Sequence, residues 1–255
     1  MLVDYIFLTP FRRQGNFSKF KKILQHANEI HKERRTSLEL ATLRNVLSLA
    51  LIEDKIHLEQ ISDPIVVIGD GYGFMSSLLL SYLYHLKVKV VVVNLNQNLL
   101  IDAVFIKKSV PFSNICLVKN ADDYHEALKD SEVNVICIQA DNAHIISSGA
   151  IGIAINIASM QEMNPPIITE YFNFIRNSIN QNTYFYCSNR IEKILPDGTI
   201  VNYFKYPWHS KDKFLVDELC PWHQYYYNYK QPPFYFPYDG LVQHRLVLMN
   251  KTSQN

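Results

Sequence analysis

Apolar residues follow two rhythms along this chain. From about residue 15 to 60 they recur at helical spacing. Phe20, Ile23, Leu24, Ala27 and Ile30 line one face of a predicted helix that Ser18 would cap, and Leu38, Leu40, Leu43, Val46, Leu47 and Ala50 line a second over 36–52. From residue 65 the apolar residues condense into short unbroken runs at 65–68, 89–95, 115–118, 133–138, 151–157 and 183–189, separated by helical patterns over 74–85, 98–108, 121–129 and 167–179. Continuous apolar strands alternating with helices predict an α/β fold, a mostly parallel central sheet with helices on both faces. Beyond residue 190 the texture changes. Leu195-Pro-Asp-Gly-Thr199 sits between two strand-like arms, which predicts an antiparallel C-terminal hairpin over 190–206. Residues 203–238 are dense in Tyr, Phe, Trp and Pro, 242–249 reads as a last strand, and 251–255 as a polar tail. The organisation expected is a helical N-terminal cap over 1–60 and an α/β domain over 61–255 with an aromatic-rich C-terminal segment.

Composition narrows the partners. The chain has 255 residues, enough for one sizeable α/β domain with an appended segment. With 25 basic and 24 acidic side chains the net charge is +1, so no global bias favours nucleic acid or an anionic membrane. The longest apolar runs are too short to span a bilayer and the N-terminus lacks a signal-peptide layout, so a cytoplasmic protein is expected. Four cysteines without CxxC spacing read as buried free thiols. The basic cluster Lys32-Glu-Arg-Arg35 reads as a solvated helix end.

The chemistry concentrates where the run Ile65-Val-Val-Ile68 breaks into Gly69-Asp-Gly-Tyr-Gly73 and then turns helical. A strand, a tight glycine turn and a helix bring backbone amides close to a nucleotide-like ligand at the carboxyl edge of a sheet. A dinucleotide fingerprint requires glycine at position 74, which is Phe74 here. The GxGxG spacing is instead similar to the first motif of class I methyltransferases, which use S-adenosylmethionine. The next strand end carries Asn94, where a carboxylate ordinarily holds the ligand's hydroxyls, and Val67 stands where an acid often precedes the first glycine.

A second segment is more distinctive. Ala154-Ile-Asn156-Ile-Ala-Ser159-Met-Gln-Glu162-Met163, then Ile168-Thr-Glu-Tyr171-Phe, Tyr184-Phe-Tyr186-Cys-Ser-Asn189-Arg190 and Lys205-Tyr-Pro-Trp208, follow the glycine turn in order. From about residue 60 to 210 this series resembles a sugar O-methyltransferase family of bacterial surface-polysaccharide clusters. The resemblance implies a class I (Rossmann-like) methyltransferase fold, S-adenosylmethionine as donor and a sugar hydroxyl, free or on a glycan precursor, as acceptor. Under it Gly69, Asp70, Gly71, Tyr72, Gly73, Asn94 and Asp141 are the candidate cofactor residues.

Methyl transfer to an alcohol needs alignment of the two partners and removal of the hydroxyl proton. Glu162 is the leading candidate base, although it would serve equally as a carboxylate at a helix N-terminus. Asn156, near the end of a buried strand, is a candidate for orienting groups at the reacting centre. Pro207-Trp208-His209 and Pro221-Trp222-His223 repeat one tripeptide, which makes His209 and His223 further candidate bases and the tryptophans candidate sugar platforms, or else core packing. His144 reads as a base or as a loop residue. The tyrosine clusters at 225–229 and 234–238 suit an acceptor platform, a lid, or a contact between copies of the chain. No spacing is diagnostic of a metal site. The rival classes are a nucleotide-sugar oxidoreductase and a non-catalytic binding module of the same fold.

Overall fold

The structure is a computed structural model, which describes residues 17–180, 183–228, 232 and 234–251. Tyr229, residues 15–16 at the start of the first predicted helix and 252–255 of the expected tail lie outside them. Two helices, α1 (Phe20–Arg34) and α2 (Leu40–Ile56), precede the sheet. Alternation follows: β1 (Ile65–Ile68), α3 (Phe74–Tyr82), β2 (Val90–Asn94), α4 (Asn96–Ser109), β3 (Ile115–Val118), α5 (Ala121–Lys129), β4 (Val135–Gln139), β5 (Ile153–Ile157), α6 (Pro165–Arg176) and β6 (Thr183–Arg190). The chain continues through β7 (Glu192–Ile194), β8 (Ile200–Asn202), β9 (Lys213–Leu219), β10 (Tyr225–Tyr227), β11 (Tyr235–Pro237) and β12 (Val242–Met249). Lys19 rather than Ser18 occupies the cap position of α1, and no side chain closes that end.

Eight strands form one sheet in the order β3-β4-β2-β1-β5-β6-β12-β9. The first six are parallel, and β12 alone runs antiparallel to both its neighbours. This is a mostly parallel, Rossmann-like doubly wound sheet. The predicted hairpin is present as β7–β8, closed by the Leu195–Thr199 turn and lying outside the main sheet. A second small hairpin, β10–β11, lies in the aromatic segment. Sequential order breaks on both sides: β12 sits between β6 and β9, and β4, not β3, sits beside β2. The burial of each strand explains the position of β4. All of β2 and nearly all of β4 are buried, as an interior position demands, whereas Leu117 of β3 is 54% exposed and suits an edge.

Successive strand residues feed opposite faces. Ile65 and Val67 of β1 join an apolar cluster with α1, α2, α3 and α4, while Val66 and Ile68 join one with α5 and α6. The N-terminal helices thus share a core with the sheet itself. Register aligns the strand ends: Ile68 stands beside Val93 and Asn156, and Asn156 beside Cys187. The turns after β1, β2, β4 and β5 therefore open on one edge, with the order reversing between β1 and its two neighbours. The four cysteines are free, three of them buried. Among the described residues no helix is long and apolar enough to cross a membrane.

Candidate active site

Backbone conformation explains the glycine turn. Gly69, Gly71, Tyr72 and Gly73 all have positive φ, between 59° and 67°. A side chain at Gly69 would place its Cβ 2.3 Å from Ser159 Oγ, so glycine is required for close packing of β1 against the loop after β5. Gly71 differs, since a Cβ there would meet nothing within 4 Å. It presents bare backbone to open space, the cradle a ligand needs. Asp70 turns its carboxylate back to cap α3, accepting from the backbone N–H groups of Met75 and Ser76, each at 2.8 Å. Burial pushes this carboxyl up to about 6, while the N–H donors act in the opposite direction. Asp70 therefore shapes the turn, with both oxygens already engaged. The Tyr72 side chain is exposed and packs edge-on against Phe105.

The turn stands on a buried cation that the sequence reading placed in solvent. Arg34 continues the apolar stripe of α1 and is only 8% exposed. Its Nη2 donates to Tyr72 O at 3.0 Å, Gly73 O at 3.3 Å and Ser77 Oγ at 3.2 Å, and its Nε to Ser109 Oγ. The guanidinium lies against the rings of Phe74 and Phe105. The position that a dinucleotide motif reserves for glycine is thus filled by an aromatic ring beneath the turn.

Asn94 has a local cause. Its Nδ2 donates at 2.7 Å to Asp102 of α4, and its Oδ1 accepts from Leu95 N at 2.9 Å. Asp102 is fully buried and also accepts from Gly73 N at 2.9 Å. Burial raises the Asp102 carboxyl from its ordinary range. A carboxylate at 94 would press against this one, so the amide is the group that fits. The acid stands on α4 and holds Asn94, which keeps one N–H and one lone pair for a ligand.

Asn156 is fully buried and wholly committed. It donates to Ile68 O at 3.0 Å and to Ser159 Oγ, and accepts from Met160 N at 3.2 Å and Asn189 Nδ2 at 2.9 Å. Asn189 in turn accepts from Gln161 N at 3.0 Å, and Gln161 Oε1 accepts from Arg190 N at 2.8 Å. This network locks the Ser159–Glu162 loop to β1 and β6, so Asn156 orients the loop and touches no open space. Glu162 projects from that loop, half exposed, with Lys193 at 3.6 Å.

Two cavities meet over the turn. One, of about 400 Å³, runs along the β2 side and is lined by Asn94, Leu95, Asn98, Ala140, Glu162 and Tyr171 among others. The second, of about 280 Å³, is walled by Arg44 and Asn45 of α2, Ile155 and Ile157, and His223 and Tyr238 of the aromatic segment. Gly69, Gly71 and Ala158 border both. Asp141 is exposed beside Ala140, its carboxylate accepting from Gln139 at 3.0 Å.

The repeated tripeptides separate. Trp222 is buried, donating to Ser48 Oγ at 3.3 Å, and Trp208 packs on Phe172 and Phe185, so both serve packing. His223 reaches the second cavity. His209 does not: its backbone N–H donates to Asp212, which pairs with Arg176 at the C-terminus of α6, near Asn250 at the opposite edge of the sheet. The separation follows from β9 and the loop before it running along the far edge. His144 is exposed, its ring edge-on to Phe174.

No family model and no curated protein matches the chain. Among solved structures it is similar to an S-adenosylmethionine-dependent methyltransferase from Clostridium acetobutylicum ATCC 824, at 11% identity over 80% of this chain and 90% of that one, TM-score 0.46. It is also similar to LepI in complex with SAM, at 8% identity over 82% of this chain and 51% of that one, TM-score 0.46. A third likeness is to an O-methyltransferase family protein from Burkholderia thailandensis, at 8% identity over 82% and 61% of the two chains, TM-score 0.42. These likenesses are distant, and the fold class rests on the strand order and the single antiparallel β12.

Proposed function

We propose that the protein transfers a methyl group from S-adenosylmethionine to a sugar hydroxyl, on a precursor of a surface polysaccharide, in the cytoplasm. The observation that carries this reading is the pair of cavities meeting over Gly69, Gly71 and Ala158, one for each partner in a two-substrate transfer. The resemblance of the Asn156–Met163 segment supports the sugar, and two of the distant structural neighbours bear methyltransferase names.

S-adenosylmethionine bound in the larger cavity supplies an electrophilic methyl on a sulfonium. The residues present fit that group: Gly71 leaves its backbone bare, Asn94 retains a donor and an acceptor, and the half-exposed carboxylate of Glu162, shared with Lys193, lines the same cavity. Arg34 and Asp102 hold the turn and Asn94 in place. His223 lines the second cavity and its ring has no hydrogen-bond partner among the described residues. Burial, helped by the Arg44 and Arg190 guanidinium groups, lowers its pKa to about 3. The imidazole is therefore neutral at neutral pH and its ring can accept a hydrogen bond from an acceptor hydroxyl; it becomes an effective base only as substrate binding raises that pKa. On this reading His223 is the base and Glu162 balances charge.

Turnover with labelled donor separates the two. His223→Gln should lower kcat by about 10²–10⁴-fold and leave S-adenosylhomocysteine affinity unchanged. Glu162→Gln should weaken donor binding and lower kcat by less than about tenfold. The reverse ordering returns the base to Glu162.

A further inference from the structure

The cavity given to the acceptor carries a positive charge that nothing among the described residues neutralises. We propose that the acceptor is an anionic sugar, bearing a phosphate or carboxylate, and that Arg44 is the residue that selects it. The inference rests on the assignment of the two cavities above.

Arg44 extends from α2, whose position is fixed one turn further on by Ser48, bonded to Tyr186 and Trp222. Its Nε donates to Trp222 O at 3.2 Å and its Nη2 to Tyr225 O at 2.7 Å, and the guanidinium lies 5.0 Å from the centre of the Tyr238 ring. Among the described residues no carboxylate pairs with it, and burial lowers its pKa. Arg190 lies against the same tyrosine at 5.0 Å. Its own partner, Asp239, is 88% exposed, so that pairing is weakened by solvent. Asp70, the one acid on the cavity wall, has both oxygens on backbone N–H groups.

A neutral polyol needs acceptors as well as donors from its site. This wall offers a carboxamide, a phenol and a neutral imidazole, which accept as well as donate, but among the described residues its one unpaired charge is a guanidinium and no carboxylate is free. A partly desolvated guanidinium gains most from a phosphate or carboxylate, which it meets with two parallel hydrogen bonds. Burial is the main reason His223 stays neutral, and an anion beside Arg44 would offset the smaller contribution that the guanidinium groups make, raising the basicity of the ring next to it. Were Arg44 there only to tie α2 to the 222–225 loop, its two carbonyl bonds would suffice, and the charge would bring nothing to ligand choice.

Calorimetry on the full chain with S-adenosylhomocysteine present decides. Glucose 6-phosphate, glucuronate and methyl glucoside serve as probes for phosphate, carboxylate and neutral sugar. At least one charged sugar should bind about tenfold or more tightly than the neutral one, a preference that disappears in Arg44→Gln and survives in part in Arg44→Lys. Equal binding of all three to the unaltered protein, or binding of none, overturns the proposal and does not depend on how any variant folds. So does an Arg44→Gln protein that loses S-adenosylhomocysteine but keeps 5′-methylthioadenosine, because Arg44 would then hold the donor's carboxylate. Binding of a charged sugar without S-adenosylhomocysteine binding would instead sink the donor reading and leave the anion site standing.

Discussion

Replacing Arg34 by methionine should destabilise the protein by about 3–5 kcal/mol, among the larger effects of any single change. Methionine fills much of the same space, so the loss would report the guanidinium and not a hole. The Tyr72 carbonyl loses its guanidinium donor and Ser77 Oγ and Ser109 Oγ lose theirs while still donating to Gly73 O and Phe105 O; the Gly73 carbonyl keeps the donors of Ser77. An unsatisfied buried acceptor costs about 1–3 kcal/mol, and the nearby Asp102 carboxylate would lose the cation that offsets its burial. Lysine should restore only part, because one ammonium on a flexible stem does not reproduce a planar fork reaching both α3 and α4. Urea denaturation of the three proteins checks this. A loss under about 1 kcal/mol in Arg34→Met would mean that the turn holds its shape without the cation.

Asn94→Asp should show a pH-dependent defect of comparable size. The new carboxylate would lie within hydrogen-bond distance of Asp102, in a site where Asn94 is 8% and Asp102 0% exposed. Two carboxylates there do not both ionise without a penalty, so one folded-state pKa is driven far above its unfolded value. The sign follows directly. A carboxyl with a raised folded pKa favours the fold most below the unfolded value near 3.8, and that contribution is lost as pH rises through the folded value. The variant should therefore approach the parent only near pH 4 and fall behind by about 2–4 kcal/mol at pH 8. Asn94→Asp combined with Asp102→Asn exchanges the two groups and should recover at least about half of that loss. Denaturation curves at the two pH values test both statements. A deficit that is the same at pH 4 and pH 8 would show that charge is not its cause.

These residues also show where sequence reading succeeds and fails. The strands were legible because buried parallel strands are runs of Val and Ile; their order and register, which set Ile68 beside Val93 and Asn156, were not, since a uniform apolar run does not specify its neighbour. The β7–β8 hairpin was legible because Asp197-Gly198 is turn chemistry. Position 94 was legible as a departure but not as a solution, since Asp102 reaches it only after two turns of α4. Arg34 lay in register with Ala27 and Ile30, a signal outweighed by its place in a basic cluster. Arg44 gave no signal at all, because its importance comes from Trp222, Tyr225 and Tyr238, which the fold brings to α2 from the far end of the chain. Of the repeated Pro-Trp-His units, only the structure separates His223 at the cavity from His209 at the opposite edge.

Methyl-donor recognition at the glycine turn is tested most directly by calorimetry of the unaltered protein with S-adenosylhomocysteine and, separately, with NAD. Binding of S-adenosylhomocysteine with a dissociation constant on the order of 10 μM or tighter, and no heat from NAD, is the expected result. Binding of NAD without S-adenosylhomocysteine would contradict it and make the turn a dinucleotide site in spite of Phe74.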